Sequence, residues 1–314
     1  MSKPIATLLT GLVFAINLVQ AESTNAAPSP RSFAYVLQAE GLAASRSAVV
    51  QKLAECGRDW IILDASFTGG DDGRWTAAEI KTIRASQPNR KMLAYLSIGE
   101  AENYRGYWAK EWSAKPPAWL CAENPDWKGN FKVRYWQSAW QAIILQELDA
   151  ILKAGFDGVY LDIVDAFEFF EFDPQRKDWI DDRPNPETQN TYRQDMIAWV
   201  HRLATHARQQ RFGFLVVPQN GVQLLADAAY RAEISAIGVE DLFTNGNRLQ
   251  KRDHITDSLA YLARFTPNHK PVLVIEYGTK PTAVERSIAG AKEHGLVLLV
   301  TDRNLKTFGR CESR

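Results

Sequence analysis

The chain has 314 residues with 37 basic and 37 acidic side chains, 46% hydrophobic and 24% charged, the composition of a globular protein rather than a disordered or fibrous one. With zero net charge and no Lys/Arg run, nothing supplies the positive field that holds a nucleic-acid backbone or an anionic membrane. Aromatic side chains are abundant, with 10 Trp, 10 Tyr and 14 Phe, more than core filling requires.

Residues 1–21 read apart from the rest. Lys3 precedes an apolar run over 5–15, and Val19-Gln20-Ala21 puts small side chains at its outer two positions, the layout of a cleavable secretory signal. The run is too short to span a bilayer comfortably, and no Cys stands at the cleavage point to take a lipid. An uncleaved anchor is the competing reading. The mature protein is therefore expected to be secreted or periplasmic, without a membrane partner after cleavage. Residues 22–31, small and with two prolines, read as a linker, and 32–314 as one domain. Cys56, Cys121 and Cys311 allow at most one internal disulfide and a spare thiol, with a Cys311–Cys56 strap favoured and the other pairings open.

Beyond the linker, β-branched or aromatic runs alternate with helical stretches. Strands are expected over 33–38, 60–64, 92–98, 158–163, 212–217, 236–240, 271–276 and 296–302. Helices are expected over 45–56, 76–86, 139–154, 188–210, 222–231, 253–265 and 282–293. Gly57, Gly155 and Gly295 suit left-handed helix ends before the next strand. Strands separated by helices pair in parallel through right-handed crossovers, so this order predicts a (β/α)8 TIM barrel with long loops after strands 3 and 4 and a reduced eighth helix. An open doubly wound sheet is the runner-up, and no strand is followed by the Gly-x-Gly-x-x-Gly turn that would support it.

Alternation along the barrel strands sorts inward from outward residues. In the fourth strand Val159, Leu161 and Ile163 suit the helix layer, leaving Gly158, Tyr160 and Asp162 inward. In the sixth, Ala236, Gly238 and Glu240 point in. Adding Asp64, Glu276 and Asp302 from the ends of the second, seventh and eighth strands, five carboxylates are expected at one mouth, the face where such barrels place their chemistry. The plain structural reading is that these acids cap helices or pair with Arg105, Arg134 and Arg303. Crowded carboxylates near an apolar core raise one another's proton affinity, and an acid beside an ionised partner is what glycosidic cleavage requires. With Glu100 they form a local negative well that would draw the ammonium groups of partly deacetylated amino sugars.

Competing chemistries fit less well. His201, His206, His254, His269 and His294 fall on predicted helices or their ends rather than at strand ends, against a zinc site. No Gly-x-Ser-x-Gly elbow is present. Asp162, Asp165 and Glu168 could be read as a calcium or magnesium cluster, but Phe167, Phe169 and Phe170 argue for a packed loop. No cofactor or metal is expected.

The stretches 100–135 and 165–187 are loaded with rings, among them Tyr104, Trp108, Trp112, Trp119, Trp127, Phe172 and Trp179. Flat rings flanked by polar groups suit sugar faces, while long loops also bury rings against one another to stay ordered. Tyr104, Trp108 and Trp136 are the rings expected to face ligand.

The run Leu93-Ala94-Tyr95-Leu96-Ser97-Ile98-Gly99-Glu100-Ala101-Glu102 with Tyr104-Arg105 and Tyr107-Trp108 resembles a known family. So do Asn124-Pro125-Asp126-Trp127, Val133-Arg134-Tyr135-Trp136, Gly155-Phe156-Asp157-Gly158-Val159-Tyr160-Leu161-Asp162 and Gln219-Asn220-Gly221. Together they resemble the secreted endo-α-1,4-polygalactosaminidases, glycoside hydrolase family 114, and related bacterial glycosidases, over about residues 33–303. The resemblance implies a (β/α)8 glycosidase whose catalytic acids end the fourth and sixth strands, Asp162 as nucleophile and Glu240 as general acid/base. It implies Asp64, Tyr95, Glu100, Tyr160, Gln219 and Asn220 as the lining of the sugar subsite. Glu276 and Asp302 join that set from the strand-end reading. The segment 165–187 is longer than expected of the fungal members, which bears on substrate length and identity.

The expectation is a secreted, endo-acting, retaining hydrolase of an α-1,4-linked galactosamine-containing polysaccharide, working by two carboxylates. A non-catalytic polysaccharide-binding barrel and a metal-dependent hydrolase are the alternatives. The oligomeric state is open.

Overall fold

A computed structural model describes residues 29–266 and 270–312; the signal segment, residues 22–28 of the linker and His269 lie outside the described residues. Eight parallel strands appear: β1 (Phe33–Val36), β2 (Trp60–Asp64), β3 (Lys91–Ser97), β4 (Gly158–Asp162), β5 (Leu215–Pro218), β6 (Ile237–Glu240), β7 (Val272–Glu276) and β8 (Val297–Val300). After each of the first seven comes a helix: α1 (Arg46–Glu55), α2 (Ala77–Ala85), α3 (Ser138–Ala154), α4 (Tyr192–Gln210), α5 (Ala228–Glu233), α6 (Arg252–Leu262) and α7 (Pro281–Glu293). The expected helix from 188 begins later because Thr191 caps it: its side chain accepts from Gln194 N–H while Gln194 reaches back to Thr191 N–H, a reciprocal capping box. α3 ends at Gly155, whose φ of 87° and N–H bond to Leu152 C=O form a left-handed cap.

Backbone pairing joins the strands into two parallel sheets, β1-β2-β3-β4-β5 and β6-β7-β8. A single parallel bridge, Gln219 with Gly238, connects them. At the other seam no ladder joins β8 to β1 among the described residues, against expectation. The chain instead turns back without a helix, and Arg310–Glu312 runs antiparallel along the edge of β8. Leu37 and Gln38 N–H donate to Leu305 C=O at 3.0 and 3.3 Å, and Phe33 N–H points at Cys311 Sγ at 3.4 Å. The returning tail occupies the β8 edge that β1 would need. Among the described residues no disulfide forms, so the Cys311–Cys56 strap is not made. Cys311 sits in the tail strand beside β1, whereas Cys56 ends α1 in the outer layer.

Two apolar layers hold this arrangement. Strand faces turned outward pack on the helices through Trp140, Trp199, Ile144, Leu148 and Phe156. Phe33, Tyr35, Trp60, Ile62, Leu93, Tyr95, Tyr160, Val217, Ile275 and Leu299 fill the space between the sheets. Trp140 Nε1 donates to Ile98 C=O at 3.0 Å and pins α3 beneath the end of β3. Buried Arg90 donates to the carbonyls of Leu53, Ala54 and Ile83, satisfying the open C-terminal ends of α1 and α2 at once.

Register corrects two of the expected strand ends. Glu240 lies opposite Ile275, and Ile275 opposite Leu299. Neighbours across a parallel ladder face the same way, so Leu273, Ile275, Val297 and Leu299 point inward with Glu240. Val272, Val274 and Leu298 pack in the helix layer. Glu276 therefore belongs to the outer face, and Asp302 continues the outer parity. Both strands are apolar on both faces, so alternation offered no contrast to read.

The two ring-rich loops are ordered structures. After β3 the strands Glu100–Glu102, Leu120–Glu123 and Asn130–Val133 form an antiparallel sheet. After β4 come a short helix, Phe167–Glu171, and a hairpin of Phe172–Asp173 with Asp178–Trp179.

Candidate active site

At the C-terminal ends of the strands lies a cavity of about 750 Å³, lined among others by Asp64, Tyr95, Glu100, Tyr104, Asp162, Asp165, Gln219, Asn220, Glu240 and Tyr277. Three strands stop in the same manner at its floor. The residues after Asp162, Gln219 and Glu240 are Ile163, Asn220 and Asp241, with φ of 56°, 60° and 50°. Asn and Asp tolerate this left-handed conformation, whereas β-branched Ile163 is strained in it. The conformation ends β4 at Asp162 and β6 at Glu240 and turns the chain one residue beyond β5, after Gln219, leaving these three side chains at the opening. Gly99 permits the turn after Asp162, since a Cβ there would collide with Ile163 C=O. Gly238 leaves room for the Tyr160 hydroxyl in the same way.

Asp162 accepts a 2.7 Å hydrogen bond from Tyr95 Oη. Glu240 accepts from Gln219 Nε2 at 2.6 Å, from Asn220 Nδ2 at 3.5 Å and from Tyr277 Oη. Asn220 Oδ1 in turn accepts from Glu240 N–H at 3.0 Å, fixing the amide while it donates. Arg303 stacks on the Tyr277 ring, 4.1 Å from its centroid, and pairs with Asp241 at 2.8 Å. Burial, then the charge of Glu240, pushes Asp162 up to about 8. Burial also raises Glu240, with the Tyr277 hydrogen bond working against the rise. Asp165 is pushed up to about 7 by burial and then by Glu168. Tyr95 and Tyr277, raised chiefly by burial, remain protonated donors. Such a pair of carboxyls titrates as a unit and keeps one proton over a range where exposed carboxylates have lost theirs.

Three other acids at the opening meet cations. Asp64 takes a bidentate bond from Arg105 at 2.7 and 2.8 Å, and Arg105 Nε also holds Glu102 at 2.5 Å. Glu100 pairs with Lys132 at 2.9 Å and accepts from Asn124 at 2.8 Å. For Asp64 and Glu100, pairing with cations is thus what the structure shows, although both still line the cavity.

Of the remaining candidates, Tyr104 lines the cavity with its ring half exposed. Tyr160 is fully buried beneath it, and its hydroxyl lacks a hydrogen-bond partner among the described residues. Trp108 packs on Trp112 and Phe131, with centroids 5.4 and 4.9 Å away, and Trp136 packs edge-on to Phe170 and donates to Glu187 at 2.9 Å. Both rings belong to the roof rather than to the cavity wall. Glu276 is buried and accepts from Phe243 N–H, Thr244 N–H and Thr244 Oγ1, anchoring the loop after β6. Asp302 accepts from Thr307 Oγ1 at 2.8 Å and from Lys306 N–H, closing the turn after β8. Tyr277 was missed by the sequence reading, and correct parity on β7 would have found it, since it continues Leu273 and Ile275 inward. Among the described residues no group of three or more His, Cys, Asp or Glu side chains is arranged to hold a metal ion, and no helix is long and apolar enough to cross a membrane.

Comparison with known proteins places this architecture. An uncharacterized protein of Deinococcus radiodurans is 41% identical over 237 residues, 75% of this chain and 71% of the relative. One from Methanocaldococcus jannaschii is 33% identical over 242 residues, 75% of this chain and 66% of the relative. The glycoside hydrolase domain of PelA from Pseudomonas aeruginosa shares the fold with a TM-score of 0.65 at 19% identity, covering 91% of this chain and 100% of that one. Ega3 of Aspergillus fumigatus, solved in complex with galactosamine, does so with a TM-score of 0.63 at 16% identity, covering 94% and 99%. The model of glycoside-hydrolase family GH114 matches residues 17–314, and this chain belongs to that family.

Proposed function

We propose that residues 32–314 form a secreted catalytic domain, released from a 1–21 signal, in which the two sheets work as one (β/α)8 barrel. It cleaves α-1,4-linked galactosamine-containing polysaccharide within the chain, with retention of configuration. The observation that carries this reading is the placement of Asp162 and Glu240 at the ends of β4 and β6 on one cavity, both with proton affinities raised by burial. In the free enzyme the pair retains one proton. An incoming ammonium-bearing sugar favours the ionised form of Asp162 and leaves the proton to Glu240. Glu240 then protonates the glycosidic oxygen while Asp162 attacks the anomeric carbon. Deprotonated Glu240 next takes a proton from the water that releases the sugar.

Support for a cationic substrate comes from the charge balance of the opening. Arg105, Lys132 and Arg303 are held by acids, and Lys128 and Glu40 in the same lining are of opposite sign, so Asp162, Asp165 and Glu240 tip the local balance toward acid. The deciding experiment is digestion of a galactosamine polymer with the anomer of the new reducing end read by NMR, beside a neutral glucan at low salt. Retained products from the cationic polymer are expected. An inverted product removes the nucleophile role from Asp162, and faster cleavage of the glucan removes the substrate class. If Asp162→Asn and Glu240→Gln have no hydrolysis to lose because the unaltered chain only binds polymer, the chain is a binding barrel.

A further inference from the structure

The catalytic cavity does not end at Asp162. A second cavity of about 660 Å³ opens beside it and shares Glu100, Trp127, Ile163 and Asp165 with the first, so the two form one continuous trough. Its far wall is the hairpin after β4, where Trp179 rests against Phe172 with ring centroids 4.8 Å apart. Near it, Phe169 packs on Phe170 at 4.9 Å, with Lys132 Nζ 5.2 Å from its centroid.

Exposure of rings singles this trough out. Trp108, Trp112, Trp119, Trp136 and Trp140 pack against other aromatic rings. Of the exposed large aromatic side chains among the described residues, Tyr104, Trp127, Phe169, Trp179 and Phe212, all but Phe212 line the two cavities. Trp127 and Trp179 are 57% and 63% exposed. A loop able to bury its other rings yet leaving these at a cleft edge offers flat apolar faces to a ligand with both C–H patches and polar groups. Asp165 and Glu168 stand among them and supply acceptors and negative charge.

We propose that this second cavity binds further amino-sugar units of the same polymer on one side of the scissile linkage, with Trp179 and Trp127 as stacking platforms and Asp165 at the junction. The proposal rests on the glycosidase reading and adds to it a physical basis for action within long chains. A polymer that must lie along both cavities gains affinity that a short fragment filling only the first cannot reach.

The test compares kcat/KM on a long α-1,4-galactosamine polymer and on its trimer for the unaltered enzyme, Trp179→Ala and Trp179→Phe. Trp179→Ala is expected to lower the polymer-to-trimer ratio about fivefold, through KM, as loss of one stacking anchor does. Trp179→Phe should restore most of it. An unmoved ratio, or polymer and trimer falling together, overturns the proposal. If the unaltered enzyme cleaves neither, the glycosidase reading fails on its own. The second cavity is then read from polymer binding to Asp162→Asn protein with and without Trp179→Ala, where equal dissociation constants overturn it.

Discussion

The two sides of the opening treat carboxylates in opposite ways. On the side of β2 and the β3 loop, Asp64, Glu102 and Glu100 each meet a cation, Arg105 or Lys132. On the side of β4 and β6, Asp162 and Glu240 meet neutral donors: Tyr95, Gln219, Asn220 and Tyr277. A guanidinium fixes a carboxylate in place and opposes the rise in proton affinity that burial brings, a rise that still prevails at Asp64. A phenol or an amide orients it while leaving its proton free to come and go. Under the proposed function the first side is scaffold and the second chemistry, although carboxylates stand at the centre of both.

Exchanging the acids for amides breaks this comparison most sharply. Asp162→Asn, which removes the nucleophile, and Glu240→Gln, which removes the general acid/base, should each lower kcat about 10³-fold on a galactosamine polymer, without loss of thermal stability. Asp64→Asn should act the other way round. It leaves Arg105 with Glu102 alone in a nearly closed site, and is expected to lower unfolding free energy by about 2 kcal/mol in denaturant titration. A thousandfold kcat loss at undiminished stability in Asp64→Asn would erase the distinction between the two sides.

Stability against pH sharpens it further. Asp162 at about 8, with Asp165 and Glu276 at about 7, binds protons in the fold that the unfolded chain has already released. The folded state holds more protons between the ordinary carboxylate range near 4 and these raised values, so stability falls as pH rises through that window. Thermal melts from pH 4 to 8 should show this decline, and Asp162→Asn should flatten it. A melting temperature that rises across the window contradicts the neutral-donor side as drawn.

The legibility of this site in the sequence follows the same physical lines. β4 and β6 alternate in chemistry, Gly158-Val159-Tyr160-Leu161-Asp162 and Ala236-Ile237-Gly238-Val239-Glu240, so inward and outward residues can be told apart from the letters. β7 and β8 are buried on both faces, and only the cross-strand register of Glu240 with Ile275 tells which residues face in. That is why Glu276 was expected at the mouth and Tyr277 was not. The seam was illegible for another reason: nothing local in residues 310–312 announces pairing with a strand's edge, which is a long-range event. The cations at the opening carried a partial signal. Arg105 could be named as a carboxylate partner, but the sequence does not say which acid it neutralises.

Rings gave the weakest signal, because composition counts them without saying which face solvent, and Trp136 makes that difference testable. Its indole Nε1 donates to Glu187 and its ring packs on Phe170 and Tyr192, with centroids 4.8 and 5.3 Å away. It holds the β3 loop to the β4 loop without reaching the cavity. Trp136→Phe keeps the packing and removes a half-exposed hydrogen bond, so a stability loss of under about 1 kcal/mol is expected, with KM for polymer unchanged. A severalfold rise in KM with stability intact would move Trp136 from roof to binding surface, where the sequence alone had placed it.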